Sequence, residues 1–171
     1  MNILIVYATK NGVTRECAEM LSRLLEKSHA VTLRSVKDEL PLPQSFDIVI
    51  LGSNVRMGAV NKSLKKYIKT NLCELKKKQT AVFLCCGFSE SFDDYCDIGA
   101  FRALSPTLGY HYFGGEMKPE KLHGLDKFIM KRVRNSIRTK NFENSQNDQI
   151  YLPEILPDSI VRLSDAIREL I

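Results

Sequence analysis

A short polar segment near the start of the chain has the residue types that hold a phosphate. It consists of Thr9, Lys10, Asn11, Gly12, Val13 and Thr14, between an apolar run and a run of helical periodicity. Backbone N–H groups converge where a strand turns into a helix, and the helix N-terminus adds partial positive charge. Threonine hydroxyls can donate hydrogen bonds there, and Gly12 permits close backbone approach or positive φ. The spacing is neither G-x-G-x-x-G nor G-x-x-x-x-G-K-[ST], which argues against a dinucleotide site and a P-loop NTPase. An ordinary strand-to-helix turn is the alternative.

Apolar runs of strand length recur along the chain and predict a parallel sheet. They cover residues 3–8, 31–36, 48–52, 81–86 and about 110–114. The first, third and fourth are nearly continuous in large apolar residues, as in strands that are buried on both faces. Helical periodicity fills the gaps, so we expect one α/β domain over residues 1–171: three layers around a doubly wound, five-stranded parallel sheet of order 2-1-3-4-5. A ligand then binds at the carboxyl ends of the strands.

The predicted helices begin at Thr14, cover residues 64–72 and 93–104, and close the chain after an Asp158 cap. Residues 37–46 contain two prolines, so this crossover is expected to be a short helix or a loop. A long connection between Gly114 and Gln149 interrupts the alternation after strand five. It contains one helix candidate, residues 125–139.

Two further loops are expected at the same edge of the sheet as the Thr9–Thr14 segment. The loop after strand three contains Ser53, Asn54, Val55, Arg56, Met57 and Gly58. The loop after strand four contains Cys86, Gly87 and Phe88, and Tyr95 follows it. Because the carboxyl ends of neighbouring parallel strands meet at one edge, these loops should border one ligand. Both aromatic residues are equally well explained as packing residues.

Positive charge is concentrated in the long connection. Between Lys118 and Lys140 there are eight Lys or Arg and two Asp or Glu, while the rest of the chain is nearly neutral. Such a segment suits an anionic membrane surface, nucleic acid or an anionic substrate, although a solvated helix face explains it equally well. The five cysteines lack C-x-x-C spacing and the histidines are scattered, so we expect reduced thiols, no metal site and a cytoplasmic location. Neither a membrane span nor a secretory signal is apparent.

The motifs together resemble the flavodoxin superfamily. The first segment is similar to its phosphate loop, [ST]-x-T-G-x-T, with Asn11 in place of the middle threonine. Together with the Ser53–Gly58 loop and the segment from Asp126 to Lys131, it resembles the flavodoxin-type, menaquinone-dependent protoporphyrinogen IX dehydrogenases. The resemblance implies a flavodoxin-like fold and FMN as the cofactor, with its terminal phosphate held by the first segment.

The same resemblance implies roles for the other two loops. Met57-Gly58 would turn its backbone to hydrogen-bond flavin N5, Cys86 and Gly87 would border the pyrimidine end, and Phe88 or Tyr95 would stack on the ring. Lys10 and Arg56 supply positive charge where electron-carrier flavodoxins are usually acidic. The expected activity removes electrons and protons from a porphyrinogen and passes them to menaquinone. The basic segment would then meet lipid headgroups at the inner face of the cell membrane, or substrate propionates.

Alternatives remain open at this point. One is a soluble flavodoxin that carries electrons between partner proteins. Another is a reductase of a different tetrapyrrole step, such as haem breakdown. A receiver-like signalling module is disfavoured because Ser53-Asn54 stands where a phosphorylatable aspartate is expected. No nucleic-acid partner is expected.

Overall fold

Six strands and six α-helices lie in the residues that the computed structural model describes, 1–87, 89–115 and 154–170. In chain order they are β1 Asn2–Ala8, α1 Val13–Leu25, β2 Ala30–Ser35, β3 Ile48–Arg56, β4 Ala59–Val60, α2 Lys62–Thr70, α3 Leu72–Leu75, β5 Gln79–Cys85, α4 Phe92–Cys96, α5 Gly99–Leu104, β6 Tyr110–Tyr112 and α6 Pro157–Arg168. Two 3-10 turns, Pro43–Ser45 and Ser89–Ser91, lie in connections. The first of them is the short helix expected between strands two and three.

The sheet has the predicted order. Its five main strands run β2-β1-β3-β5-β6, and each neighbouring pair is parallel. The two-residue β4 is an addition that pairs antiparallel with β3. With β4 set aside, the order is the expected 2-1-3-4-5, and the doubly wound α/β fold is confirmed.

Side chains of β1 alternate between two separate cores, which explains the continuous apolar run. Ile3 and Ile5 belong to the core beneath α1 and α6, whereas Leu4 and Val6 belong to the core beneath α2 and α5. All four are fully buried. Because successive strand residues point to opposite faces, a strand covered on both sides must be apolar throughout. The two helical layers therefore fix β1 in the interior, and the loop that follows it leaves at the carboxyl edge of the sheet.

Three predicted helix details are wrong. Residues 64–72 do not form one helix, because α2 ends at Thr70 and the short α3 follows Asn71. Residues 93–104 are divided between α4 and α5. Asp158 does not cap the last helix: α6 begins one residue earlier, at a proline whose fixed φ suits the first helical position. Asp158 instead lies in the first turn, where its charge favours the helix dipole.

The long connection starts and ends beside β6. Gly114 bridges antiparallel to Ile155, and the Gly115 N–H donates to the Glu154 carbonyl at 3.1 Å. Apart from Gly114 and Gly115, the insertion between Gly114 and Gln149, including the helix candidate and the basic segment, lies outside the described residues. The described residues on either side therefore meet beside the carboxyl end of β6. None of the described helices is long and apolar enough to cross a membrane.

Candidate functional site

The three loops predicted to border a ligand do meet at one edge of the sheet. Ala8, at the end of β1, pairs with Ser53 of β3, and Asn54 pairs with Cys85, at the end of β5. Since these strands are parallel neighbours, the segments that follow them emerge side by side. The structure thus brings the starts of the three loops together, and the contacts of their residues with a cofactor stay a prediction.

The first loop presents backbone donors at the start of α1. Gly12 has φ of 92°, a conformation that glycine adopts without strain, and it directly precedes the helix. No side chain among the described residues caps this helix. The Gly12 N–H donates to the Thr9 hydroxyl oxygen at 3.0 Å, which closes the loop upon itself. Uncapped N–H groups and the helix dipole make this end of α1 suited to an anion.

The buried side chain of Thr14 is the observation that most favours ligand binding at this loop. Its side chain is fully buried in the first turn of α1, and its Oγ1 atom has no hydrogen-bond partner among the described residues. Within the described part of the chain, the one interaction of this hydroxyl is with the Cys85 sulfur, where it acts to lower the pKa of that thiol against the larger, raising effect of Cys17. Sulfur is a weak acceptor, however, and replaces an oxygen partner poorly. An unpaired buried hydroxyl is costly, so such groups call for an explanation. The phosphate of FMN, which needs hydroxyl and N–H donors, fits this loop.

The second loop is a tight hairpin with Gly58 in its turn. Val55 pairs with Val60 and Arg56 with Ala59, so Met57 and Gly58 form a two-residue turn. Both turn residues have positive φ, 52° and 73°, as type I′ hairpins require. Met57 is 75% exposed at the tip. The peptide predicted to contact flavin N5 is therefore accessible, and it is held at the tip of a defined turn.

Hydrogen bonds within the protein occupy Ser53 and Asn54 at the base of this hairpin. The buried Ser53 hydroxyl donates to the Asn54 carbonyl at 2.9 Å and accepts from the Asn61 N–H at 3.2 Å. The Asn61 side chain in turn caps α2 by accepting from the Ser63 N–H at 2.9 Å. This network fixes the start of α2 to the end of β3. The side chain of Ser53 thus has a structural role whatever the loop binds.

The third loop is held by a residue that the sequence did not single out, Tyr112. The Tyr112 hydroxyl donates to the Cys86 carbonyl at 3.0 Å, and the Cys86 N–H donates to the Gly114 carbonyl at 3.0 Å. The position of Tyr112 near the carboxyl end of strand five was the available signal. Tyr95 is half-buried and packs against the core beneath α2 and α5, and Phe88 lies outside the described residues.

Charge at this edge is more mixed than the sequence suggested. The turn and helix that follow the third loop contain the exposed acidic residues Glu90, Asp93 and Asp94. Only the positive charge of Lys10 and Arg56 was expected here from the sequence. This edge of the sheet therefore has acidic as well as basic side chains.

The buried thiols fill space, and that of Cys85 is a poor nucleophile. Cys85 Sγ lies 3.7 Å from Cys17 Sγ, between β5 and α1. The neighbouring Cys17 thiol and burial raise the pKa of Cys85 well above its usual range, so the reactive thiolate is disfavoured. The described residues contain no cluster of side chains that could hold a metal ion.

Comparisons with known proteins agree with this architecture. A family model described as a flavodoxin domain matches residues 4–145. Protoporphyrinogen IX dehydrogenase (quinone) of Escherichia coli (strain K12) is 28% identical over 85 residues, which cover 48% of this chain and 47% of that protein. The chain thus spans about half the length of the curated relatives it matches.

Solved structures of flavodoxins share the fold. The FMN-bound flavodoxin of Fusobacterium nucleatum matches with a TM-score of 0.54 and 13% identity, over 99% of this chain and 98% of that one. The two-electron reduced flavodoxin of Megasphaera elsdenii matches with a TM-score of 0.54 and 19% identity, over 64% of this chain and 84% of that one. At these identities the likeness concerns the fold alone.

Proposed function

Because the chain belongs to the flavodoxin family, whose cofactor is FMN, we propose that it is an FMN-dependent dehydrogenase that oxidises protoporphyrinogen IX and passes the electrons to menaquinone. Redox chemistry with FMN follows from the family. The porphyrinogen substrate and the quinone acceptor are supported by the similarity to the dehydrogenase relative. The sequence motifs that resemble those of such dehydrogenases also support them. The observation that carries the FMN part of the proposal is the buried Thr14 hydroxyl in the first turn of α1, which has no hydrogen-bond partner among the nitrogen and oxygen atoms of the described residues.

The residues of the three loops have separate tasks in this proposal. FMN, when bound, takes electrons from the substrate and passes them to the acceptor. The N–H groups at the start of α1, with the Thr9 and Thr14 hydroxyls, hold the phosphate. The Met57–Gly58 turn offers backbone groups to the ring, and Tyr112 keeps the Cys86 carbonyl in place for the pyrimidine end. Among the described residues we assign no side chain as acid or base.

A quinone acceptor places the protein at a membrane. Menaquinone dissolves in the bilayer, so the enzyme must work at the inner face of the cell membrane in a haem-synthesis step. The basic segment between Lys118 and Lys140 is proposed as one contact with anionic lipid. The excess of Lys and Arg over Asp and Glu in this segment supports the contact. A shared site for porphyrinogen propionates on the same basic residues is part of the proposal.

A second candidate function is electron transfer between partner proteins, as in a soluble flavodoxin. The acidic residues Glu90, Asp93 and Asp94 beside the third loop favour it, because electrostatic complementarity steers such encounters. A flavodoxin-like reductase of another tetrapyrrole step, such as haem breakdown, uses the same loops. These candidates differ from the first in what they exchange electrons with: the carrier serves partner proteins, and the reductase donates electrons to its tetrapyrrole.

An anaerobic turnover assay with FMN-loaded protein separates the candidates. Protoporphyrinogen IX and a short-chain naphthoquinone are mixed with the protein, and porphyrin fluorescence is followed. We expect oxidation that depends on both quinone and FMN. A protein that exchanges electrons with protein carriers but leaves porphyrinogen unoxidised would be an electron carrier. That result would contradict the dehydrogenase proposal.

A further inference from the structure

Helix α2 presents a row of lysines on the face turned away from the core. The row, called here the lysine stripe, has the spacing i, i+3, i+4, i+7, which places its members on one side of a helix. The opposite side contains Leu64 and Ile68, both fully buried. The four members are exposed or partly exposed, and they are Lys62, Lys65, Lys66 and Lys69.

The described part of the chain contributes no partner that neutralises the lysine stripe. Within the described residues none of its four ammonium groups has a hydrogen bond or ion pair, and α2 contains no acidic residue. Lysines just beyond it differ: Lys77 pairs with Glu74 at 2.8 Å, and Lys78 donates to the Gln44 carbonyl at 3.0 Å.

Keeping four like charges on one short helix weakens it. Like charges three and four residues apart repel, and Lys62 lies in the first turn, where the dipole disfavours a cation. Departures from such local rules are expected where a surface has a function. The lysine stripe is therefore more than an ordinary solvated face.

We propose that the lysine stripe is a contact surface for a bilayer of anionic phospholipids, distinct from the insertion. Lysine is a flexible point charge without fixed geometry, which suits a fluid array of headgroups. Protein interfaces, by contrast, are enriched in arginine and aromatic residues and depleted in lysine, and the stripe has lysine only. The apolar side of α2 is used in the core, so the attraction is electrostatic and salt screens it.

The lysine stripe also sets how the protein is oriented on the bilayer. This step rests on the proposed function. Lys62 follows the hairpin by only two residues, and Lys69 lies about 10 Å further along the helix, at 1.5 Å per residue. A bilayer along the stripe therefore runs past the hairpin end of α2. That geometry brings the exposed Met57 tip, at the edge where the loops meet, close to a quinone dissolved in the membrane.

Co-sedimentation of the FMN-loaded full chain with vesicles tests the stripe. The test variant is Lys62→Gln, Lys65→Gln, Lys66→Gln, Lys69→Gln. The control removes four exposed positive charges from α1 and the β2 end, Arg23→Gln, Lys27→Gln, Arg34→Gln, Lys37→Gln. The two variants have the same net charge and an intact insertion. Vesicles of phosphatidylcholine with phosphatidylglycerol are compared with phosphatidylcholine alone.

The stripe variant should lose binding to anionic vesicles by about fivefold per lysine, or several-hundred-fold in all. The control should lose far less, and wild-type binding should weaken in high salt. Equal binding by the two variants overturns the proposal. If they bind vesicles equally while only the stripe variant loses binding to polyglutamate, the surface serves an acidic protein instead.

Cys73 offers an independent readout because it is exposed and lies four residues beyond Lys69. An environment-sensitive fluorophore on Cys73 should respond to anionic vesicles in the control but not in the stripe variant. An unchanged signal in both contradicts membrane contact at α2.

Turnover with a water-soluble naphthoquinone and no vesicles keeps the two proposals apart. The stripe variant should retain this activity. Normal turnover without stripe-dependent binding refutes the stripe alone, whereas stripe-dependent binding without turnover refutes the dehydrogenase function alone.

Discussion

Replacing Thr14 with valine is expected to stabilise the FMN-free protein while weakening its affinity for FMN. Valine keeps the shape of threonine and removes the hydroxyl. In the structure that hydroxyl is buried without a hydrogen-bond partner among the described residues. The same atom is proposed to bind the FMN phosphate. One substitution should therefore change stability and affinity in opposite senses.

The magnitudes follow from the cost of an unpaired hydroxyl and the strength of a bond to a charged group. Leaving a buried hydroxyl unsatisfied costs about 1–3 kcal/mol. Because the Cys85 thiol is a weak partner for the Thr14 hydroxyl, we expect a cost at the lower end of this range. Thr14→Val should thus raise the free energy of unfolding by about 1 kcal/mol and Tm by about 2–4 °C. Losing a hydrogen bond to phosphate costs about 1.5–3 kcal/mol, which weakens FMN binding about 10- to 150-fold.

Urea unfolding of the FMN-free protein and calorimetric titration with FMN measure the two effects. Ser164→Ala is the matched control, because Ser164 Oγ on α6 is also buried without a partner among the described residues. It should stabilise the protein and leave FMN affinity unchanged. The reasoning is refuted if Thr14→Val binds FMN as tightly as the wild type.

Three further substitutions test the fold around the site. Gly52→Ala should lower the free energy of unfolding by about 1–3 kcal/mol, because the added Cβ would lie 2.1 Å from the Phe83 ring. Gly99→Ala is the control, because nothing lies within 4 Å of its added Cβ, and it should not destabilise the protein. Equal urea midpoints for the two variants would contradict this. Burial and two nearby positive charges lower the pKa of His29 from 6.5, so the unfolded state binds more protons and stability should fall as pH drops below 6.5. His29→Leu should flatten that decline in urea midpoints measured against pH, and an identical slope would argue against it. Asn61→Ala should lose about 0.5–2 kcal/mol with the α2 cap, while Asn61→Asp keeps the acceptor and most of the stability; a similar loss in both would rule out the cap.

The sheet could be predicted from the sequence because its order depends on patterns that extend over many residues. The continuous apolar run from Ile3 to Ala8 can be satisfied only by a strand covered on both faces, and both faces are covered. The alternation with helices then leaves few right-handed arrangements. The position of the three loops at one edge follows from that topology.

Details that depend on few residues or on distant contacts were not predictable. The two residues of β4 have no periodicity, and Met57-Gly58 lacks the Asn-Gly or Asp-Gly signal of a tight hairpin, so the sequence did not predict the pairing of β4 with β3. The bond from Tyr112 to the Cys86 carbonyl joins residues far apart in sequence. The unpaired state of Thr14 depends on everything packed around it. Such features arise from tertiary structure and leave no local signal.

Calorimetric comparison of FMN with riboflavin tests the central claim most directly, that the loop from Thr9 to Thr14 holds the terminal phosphate of FMN. Riboflavin has the same ring and lacks that phosphate. The account predicts one FMN bound per chain, much more tightly than riboflavin, and a smaller ratio between the two affinities in the Thr9→Val, Thr14→Val double variant. Equal affinity of the wild-type protein for FMN and riboflavin would contradict it.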